Sequence, residues 1–146
     1  MGNARRRLNA ATDTDTRLLA KPDLDFMVII NPSSGPGSQY PDEQYTAALK
    51  QLATYPNVQK FGYVRTGYAS RNLSDVISEL NVYAGWSSKG PAFAMDGIFF
   101  DESPHQYTAE AVDFMLRASR AVKEATGLQG SRTVCFWPVR SATSSR

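Results

Sequence analysis

Residues 95–104 read Met-Asp-Gly-Ile-Phe-Phe-Asp-Glu-Ser-Pro, and the adjacent carboxylates Asp101 and Glu102 are the side chains in the chain best placed to do chemistry. An apolar run of Ile98, Phe99 and Phe100, long enough for a buried strand, ends abruptly in this pair, and Pro104 closes the segment. Carboxylates are costly to bury, so two of them at the tip of a core strand point to a bound ligand. Groups of this kind exchange protons with a reacting oxygen. In α/β proteins they sit at the carboxyl ends of parallel strands. The ordinary alternative is helix capping or a surface ion pair. Successive strand residues point to opposite faces, so only one acid aims straight into a cleft. The other must reach it through the turn that follows.

The elements that hold the pair are legible in the hydrophobic pattern. Four apolar segments read as strands: Phe26–Ile30, Phe61–Val64, Gly97–Phe100 and Thr133–Phe136. Amphipathic helical segments fill the gaps. The first spans about Asp42–Thr54, with Tyr45, Ala48, Leu49 and Leu52 on one face. The second aligns Leu73, Val76, Ile77 and Leu80, and the third, about Thr108–Thr126, turns Val112, Met115, Leu116, Ser119 and Val122 inward before Gly127. Strands alternating with helices mean βαβ units and a parallel sheet. Each strand is apolar throughout, the pattern of a sheet covered on both faces. The expected domain covers 22–138, with a poorly ordered lead over 1–21 and a disordered tail over 139–146.

Composition excludes several classes. The 146 residues are 42% hydrophobic and 21% charged, ordinary for a globular protein. Sixteen Lys and Arg against 14 Asp and Glu leave a net charge of +2, too little for a bulk field that recruits nucleic acid or membrane. The basic cluster Arg5–Arg7 reads as a solvated arm. A single cysteine, Cys135, excludes an internal disulfide and a cysteine-rich zinc site, and a single histidine, His105, leaves little for a His-based metal site or a serine triad. No metal or other cofactor is expected. No apolar run approaches membrane-spanning length, and no h-region follows the N-terminal arginines. Taken as complete, the chain would be cytoplasmic.

The loops after the strands carry the remaining candidates. Gly35-Pro36-Gly37 resembles a phosphate loop, but a Walker loop needs Gly-Lys followed by Ser or Thr, and here Gly37 precedes Ser38 and Gln39. A tight turn explains these glycines. Asn31, at a strand tip, can both donate and accept, as recognition of a sugar hydroxyl requires; equally, it can cap its own turn. Tyr63, Tyr68, Trp86 and Tyr107 lie near strand ends or helix termini. Aromatic walls suit the apolar C–H faces of carbohydrate rings, and core packing is as good an account of any one of them. His105 stands beside the acids, where it either tunes them or sits in solvent.

Taken together, the motifs resemble a known family. Asn31-Pro32-x-Ser34-Gly35-Pro36-Gly37, Gly62-Tyr63-Val64-x-Thr66-x-Tyr68, Tyr83-x-x-Trp86 and Asp96-Gly97-Ile98-Phe99-Phe100-Asp101-Glu102 occur in order between about Phe26 and Gly130. The series is similar to the spherulin 4 (spherulation-specific family 4) cell-surface proteins, which are related to glycoside hydrolase family 135. The resemblance implies a (β/α)8 TIM barrel and kinship with secreted enzymes that cleave α-1,4-linked N-acetylgalactosamine in galactosaminogalactan. It implies that Asp101 and Glu102 lie in the substrate cleft, where they are the expected catalytic residues; from their residue types and places in the chain, Asn31, Tyr63, Tyr68, Trp86 and His105 are the expected substrate-binding residues. A further acid from a later strand completes the family's set. A polysaccharide containing N-acetylgalactosamine or galactosamine is the implied partner, and an extracellular or cell-surface location follows from the family.

Such barrels need about 250 residues, and this chain has 146. The expectation is therefore a truncated member, a partial barrel of about four β/α units corresponding to the second to fifth strands, with impaired activity. After the fifth, the family continues Asn-Pro-Gly where this chain has Trp137-Pro138-Val139. Open strand edges would favour self-association. For the chemistry, Glu102 is expected to protonate the leaving oxygen while Asp101 orients the substrate's own 2-acetamido group as nucleophile. A non-catalytic carbohydrate-binding or cell-surface role is the alternative.

Overall fold

A computed structural model of the protein describes residues 20–135; most of the expected lead, the expected tail, and the family-divergent Trp137–Val139 lie outside them. Strand β1 (Phe26–Ile30), helix α1 (Glu43–Leu52), β2 (Val58–Arg65), α2 (Leu73–Gly85), β3 (Gly97–Asp101), α3 (Ala109–Glu124) and β4 (Arg132–Cys135) follow one another, with two short 3₁₀ turns between α2 and β3. The strands form one parallel sheet in the order β1-β2-β3-β4. This is the α/β architecture of a partial (β/α)8 barrel.

Side-chain caps begin each helix. Asp42 accepts the Tyr45 amide at 2.8 Å, Asn72 the Ser74 amide at 3.1 Å and Thr108 the Ala111 amide at 3.1 Å; an N-cap of this type contributes about 1 kcal/mol. Strand β2 begins three residues earlier than its apolar run suggests, because Val58, Gln59 and Lys60 pair with Phe26, Met27 and Val28. Lys60 is 6% exposed. Its ammonium donates to the Ala92 carbonyl, while its backbone amide donates to Asp96 Oδ2 at 2.7 Å. Burial pulls its ammonium below the usual lysine range, against the opposing pull of Asp96. Asp96 thus joins β2 to the start of β3, at the end of the sheet remote from Asp101.

The core lies between the sheet and the helices. Ile30, Val64, Ile98 and Phe100 pack there against Leu49, Val76, Leu80, Tyr83, Met115 and Val122. Tyr83 is fully buried and lies directly on Gly62, where a Cβ would come within 2.6 Å of the ring. Its hydroxyl donates to the Ile30 carbonyl at 3.0 Å, and burial pushes the phenol above its ordinary range.

Two patterns differ from the sequence reading. In α3 the buried face is Ala111, Phe114, Met115, Ala118 and Val122. Leu116 is 62% exposed, because a 3.6-residue period that includes Ala118 and Phe114 turns it outward. In β1 the burial alternates: Ile30 is buried, whereas Met27 and Ile29 are 47% and 42% exposed. The uniformly apolar strand encodes two covered faces, and the described residues cover only the helix side of it.

Candidate functional site

Parallel strands place the loops after β1, β2 and β3 at one end of the sheet, and the two acids stand at that end. Asp101 is the last residue of β3 and lies opposite Arg65 in register. It shares the sheet face of Tyr63 and Phe99, away from the helices. Across the strands, the Tyr63 hydroxyl donates to Asp101 Oδ2 at 2.6 Å. The Tyr63 and Phe99 rings lie 6.2 Å apart, tilted by 33°.

Glu102 leaves the pleat. Its φ is +53°, a left-handed conformation that an L-residue adopts only under local constraint. The alternation that would send its side chain to the helix face is thereby broken. Its charge acts on Tyr63 together with that of Asp101, and also on Arg71. Both acids therefore belong to one electrostatic neighbourhood.

The β2–α2 loop holds this turn in place. Thr66 N donates to the Asp101 carbonyl at 2.9 Å, and Tyr68 N donates to the Glu102 carbonyl at 2.6 Å. Gly67, Tyr68 and Ala69 all have positive φ. Of the five non-glycine residues with positive φ among the described residues, Ser34, Tyr68, Ala69 and Glu102 lie in the loops after β1, β2 and β3. Backbone strain collects where structure must present groups rather than pack them.

Tyr63 reports on the pair. Burial, the hydrogen bond to Asp101, and the charges of Asp101 and Glu102 push its phenol from 10.0 up to about 12, with Arg65 opposing. Because the folded value lies above the unfolded one, this group's contribution to stability is full below pH 10 and lost between pH 10 and about 12. An NMR titration of the Tyr63 ring carbon should show ionisation at the top of that window. Asp101→Asn should bring it part of the way back, since burial remains the largest cause. An unchanged titration in that variant would mean that the two groups do not interact.

The other sequence candidates separate. Tyr68, 53% exposed, stacks on the exposed His105 with ring centroids 4.7 Å apart, so the loops after β2 and β3 present a joint aromatic surface beside Glu102. Tyr107 is 50% exposed on the same β3–α3 loop. Asn31 accepts the Gly35 amide at 3.1 Å, closing its own turn, and its carbonyl accepts the Tyr45 hydroxyl at 2.9 Å. Trp86 lies in the core. It is fully buried, packs edge-on against Tyr83 at 4.9 Å, and donates its indole N–H to the Gln39 carbonyl at 3.0 Å. Of the two roles open to it in the sequence, the structure realises core packing.

One pair escaped the sequence reading. Arg71 makes two hydrogen bonds to Glu79, at 2.7 and 3.2 Å, and a third to the Arg65 carbonyl at 2.8 Å. Glu79 lies against Gly35, where a Cβ would meet its carboxylate at 3.2 Å. This bidentate pair ties the loop after β1 to the end of β2. The available signal was Glu79 itself, a charge on the inward side of α2 beside Val76 and Leu80. Among the described residues, no cluster of three or more His, Cys, Asp or Glu could hold a metal ion, and no helix is long and apolar enough to cross a membrane.

The chain is similar to known proteins. The family description "Spherulation-specific family 4" matches residues 10–144. Spherulin-4 of Physarum polycephalum is 35% identical over 112 residues, covering 77% of this chain and 31% of that protein. The crystal structure of Aspergillus clavatus Sph3 in complex with GalNAc superposes with a TM-score of 0.79 at 40% identity, covering 86% of this chain and 51% of Sph3. The chain thus spans about a third of Spherulin-4 and half of Sph3. With its parallel β/α units, its ordered loop motifs and the Asp-Glu pair at the end of β3, this chain belongs to the spherulin 4 family.

Proposed function

We propose that this chain is a glycoside hydrolase-like protein whose substrate is a polysaccharide containing N-acetylgalactosamine or galactosamine, cut internally at α-1,4 linkages as in galactosaminogalactan. The carrying observation is the convergence of Asp101, Glu102 and Tyr63 at one strand end, in a chain 40% identical to a protein crystallised with GalNAc. Tyr68 and His105 supply an aromatic platform for a sugar ring beside the acids, and Asn31 lies on the neighbouring loop.

Glu102 is assigned the proton transfer to the leaving glycosidic oxygen. Asp101 is assigned a different role from the one expected from acetamido chemistry. In an α-linked N-acetylgalactosamine the 2-acetamido group lies on the same ring face as the breaking bond. Its carbonyl oxygen therefore cannot attack from the opposite face, and the substrate-assisted route suits β-linkages. A carboxylate fixed by the Tyr63 hydroxyl instead stabilises the positive charge that develops at the anomeric carbon as the glycosidic bond breaks, and a water then adds to that carbon, its proton returning to the Glu102 carboxylate.

The chain covers half of Sph3, and an open sheet face admits water beside the acids. Catalysis by this chain alone is therefore expected to be weak, and a non-catalytic sugar-binding role is the second reading. Incubation with an N-acetylgalactosamine-rich polymer separates them: new reducing ends support hydrolysis, and binding without release supports the second. A cell-surface location accompanies either role. The same exposed face, with Met27 and Ile29, is proposed to drive self-association. Sedimentation should then show concentration-dependent mass, and a monomer at all concentrations would remove this part.

A further inference from the structure

We infer that Thr66 is a positioning residue whose hydroxyl holds Glu102 in its left-handed conformation directly after Asp101, an inference that rests on the functional reading above. Thr66 is fully buried. Its hydroxyl meets two acceptors, the Glu102 carbonyl at 2.7 Å and the Asp101 carbonyl at 3.2 Å. These are the backbone oxygens on either side of the point where the chain leaves the pleat. Its own amide binds the Asp101 carbonyl at 2.9 Å, continuing the β2–β3 ladder by one step.

The contact has a specific task. Asp101 points away from the helices by the ordinary alternation of the strand. Its successor would point toward the buried helix side, where an unpaired carboxylate is unfavourable. A φ of +53° takes it out of that alternation, and a residue with a Cβ holds that φ only where surrounding bonds fix it. Two donors from one loop converge on the Glu102 carbonyl, the Thr66 hydroxyl at 2.7 Å and the Tyr68 amide at 2.6 Å. The Tyr68 amide reaches it because Gly67, Tyr68 and Ala69 are themselves left-handed. A valine would fill the volume of Thr66 equally well, so packing alone does not call for an oxygen here. The hydroxyl is required only if the Glu102 turn is.

Two variants test the assignment. Thr66→Val keeps the shape and the backbone amide and removes the donor, whereas Thr66→Ser keeps the donor. With wild-type chain and N-acetylgalactosamine oligomers, Thr66→Val should lower kcat by about 10- to 100-fold, the scale of a catalytic group displaced by about 1 Å, leaving KM nearly unchanged. Thr66→Ser should restore most of the rate. A wild-type kcat in Thr66→Val, or equal loss in both variants, overturns the inference. If the wild-type chain releases no reducing ends, the hydrolase reading fails, and the backbone then decides the positioning role on its own. NMR-derived φ at Glu102 should leave the left-handed region in Thr66→Val and remain there in Thr66→Ser. Retention of positive φ in the valine variant overturns the role of the hydroxyl.

Discussion

Glu102→Gln is expected to reduce reducing-end release from an N-acetylgalactosamine polymer by about 10²- to 10⁴-fold, the usual contribution of a general acid. The substitution preserves side-chain shape and removes only the transferable proton. The backbone bonds that fix the turn, from Thr66 and Tyr68 to the Glu102 carbonyl, are untouched. The circular dichroism spectrum and the thermal midpoint should therefore match those of the wild type, which separates chemistry from folding. Sugar affinity should also persist, because the Tyr68–His105 surface is unaltered. Hydrolysis at the wild-type rate would take Glu102 out of the reaction.

Trp86→Ala is expected to cost about 3–5 kcal/mol, the range for truncating a buried large aromatic. Trp86 has no exposed surface and contacts Tyr83, which itself lies on Gly62 of β2. The cavity would open beneath the middle of the sheet. The variant also removes the donor to the Gln39 carbonyl, and with it the tie between α2 and the loop leading from β1. Against a typical total stability of about 5–15 kcal/mol, a loss of this size leaves the fold marginal. Urea titration should show a midpoint shifted strongly downward with little change in slope. The opposite pattern, unchanged stability with lost sugar binding, would return Trp86 to the site as a substrate contact.

The apolar runs and the helical periods determined the strand–helix order, because each depends on residues a few positions apart. Phe26–Ile30 forms a strand as read, and Asp42, Asn72 and Thr108 start the helices through bonds to residues two or three positions on. The Asp101–Glu102 pair at the end of the third strand was equally visible, since the break from Phe100 to Asp101 is local. Contacts between distant segments could not be seen this way. The Thr66 hydroxyl meets a carbonyl 36 residues away, the Trp86 indole meets one 47 away, and Tyr63 reaches Asp101 across 38 residues. Only the assembled sheet decided that Glu102 turns left-handed and that Trp86 serves the core. A pattern of side chains specifies which face of an element is apolar; which partner meets that face, and which carbonyl a hydroxyl finds, depends on strands brought together from far along the chain.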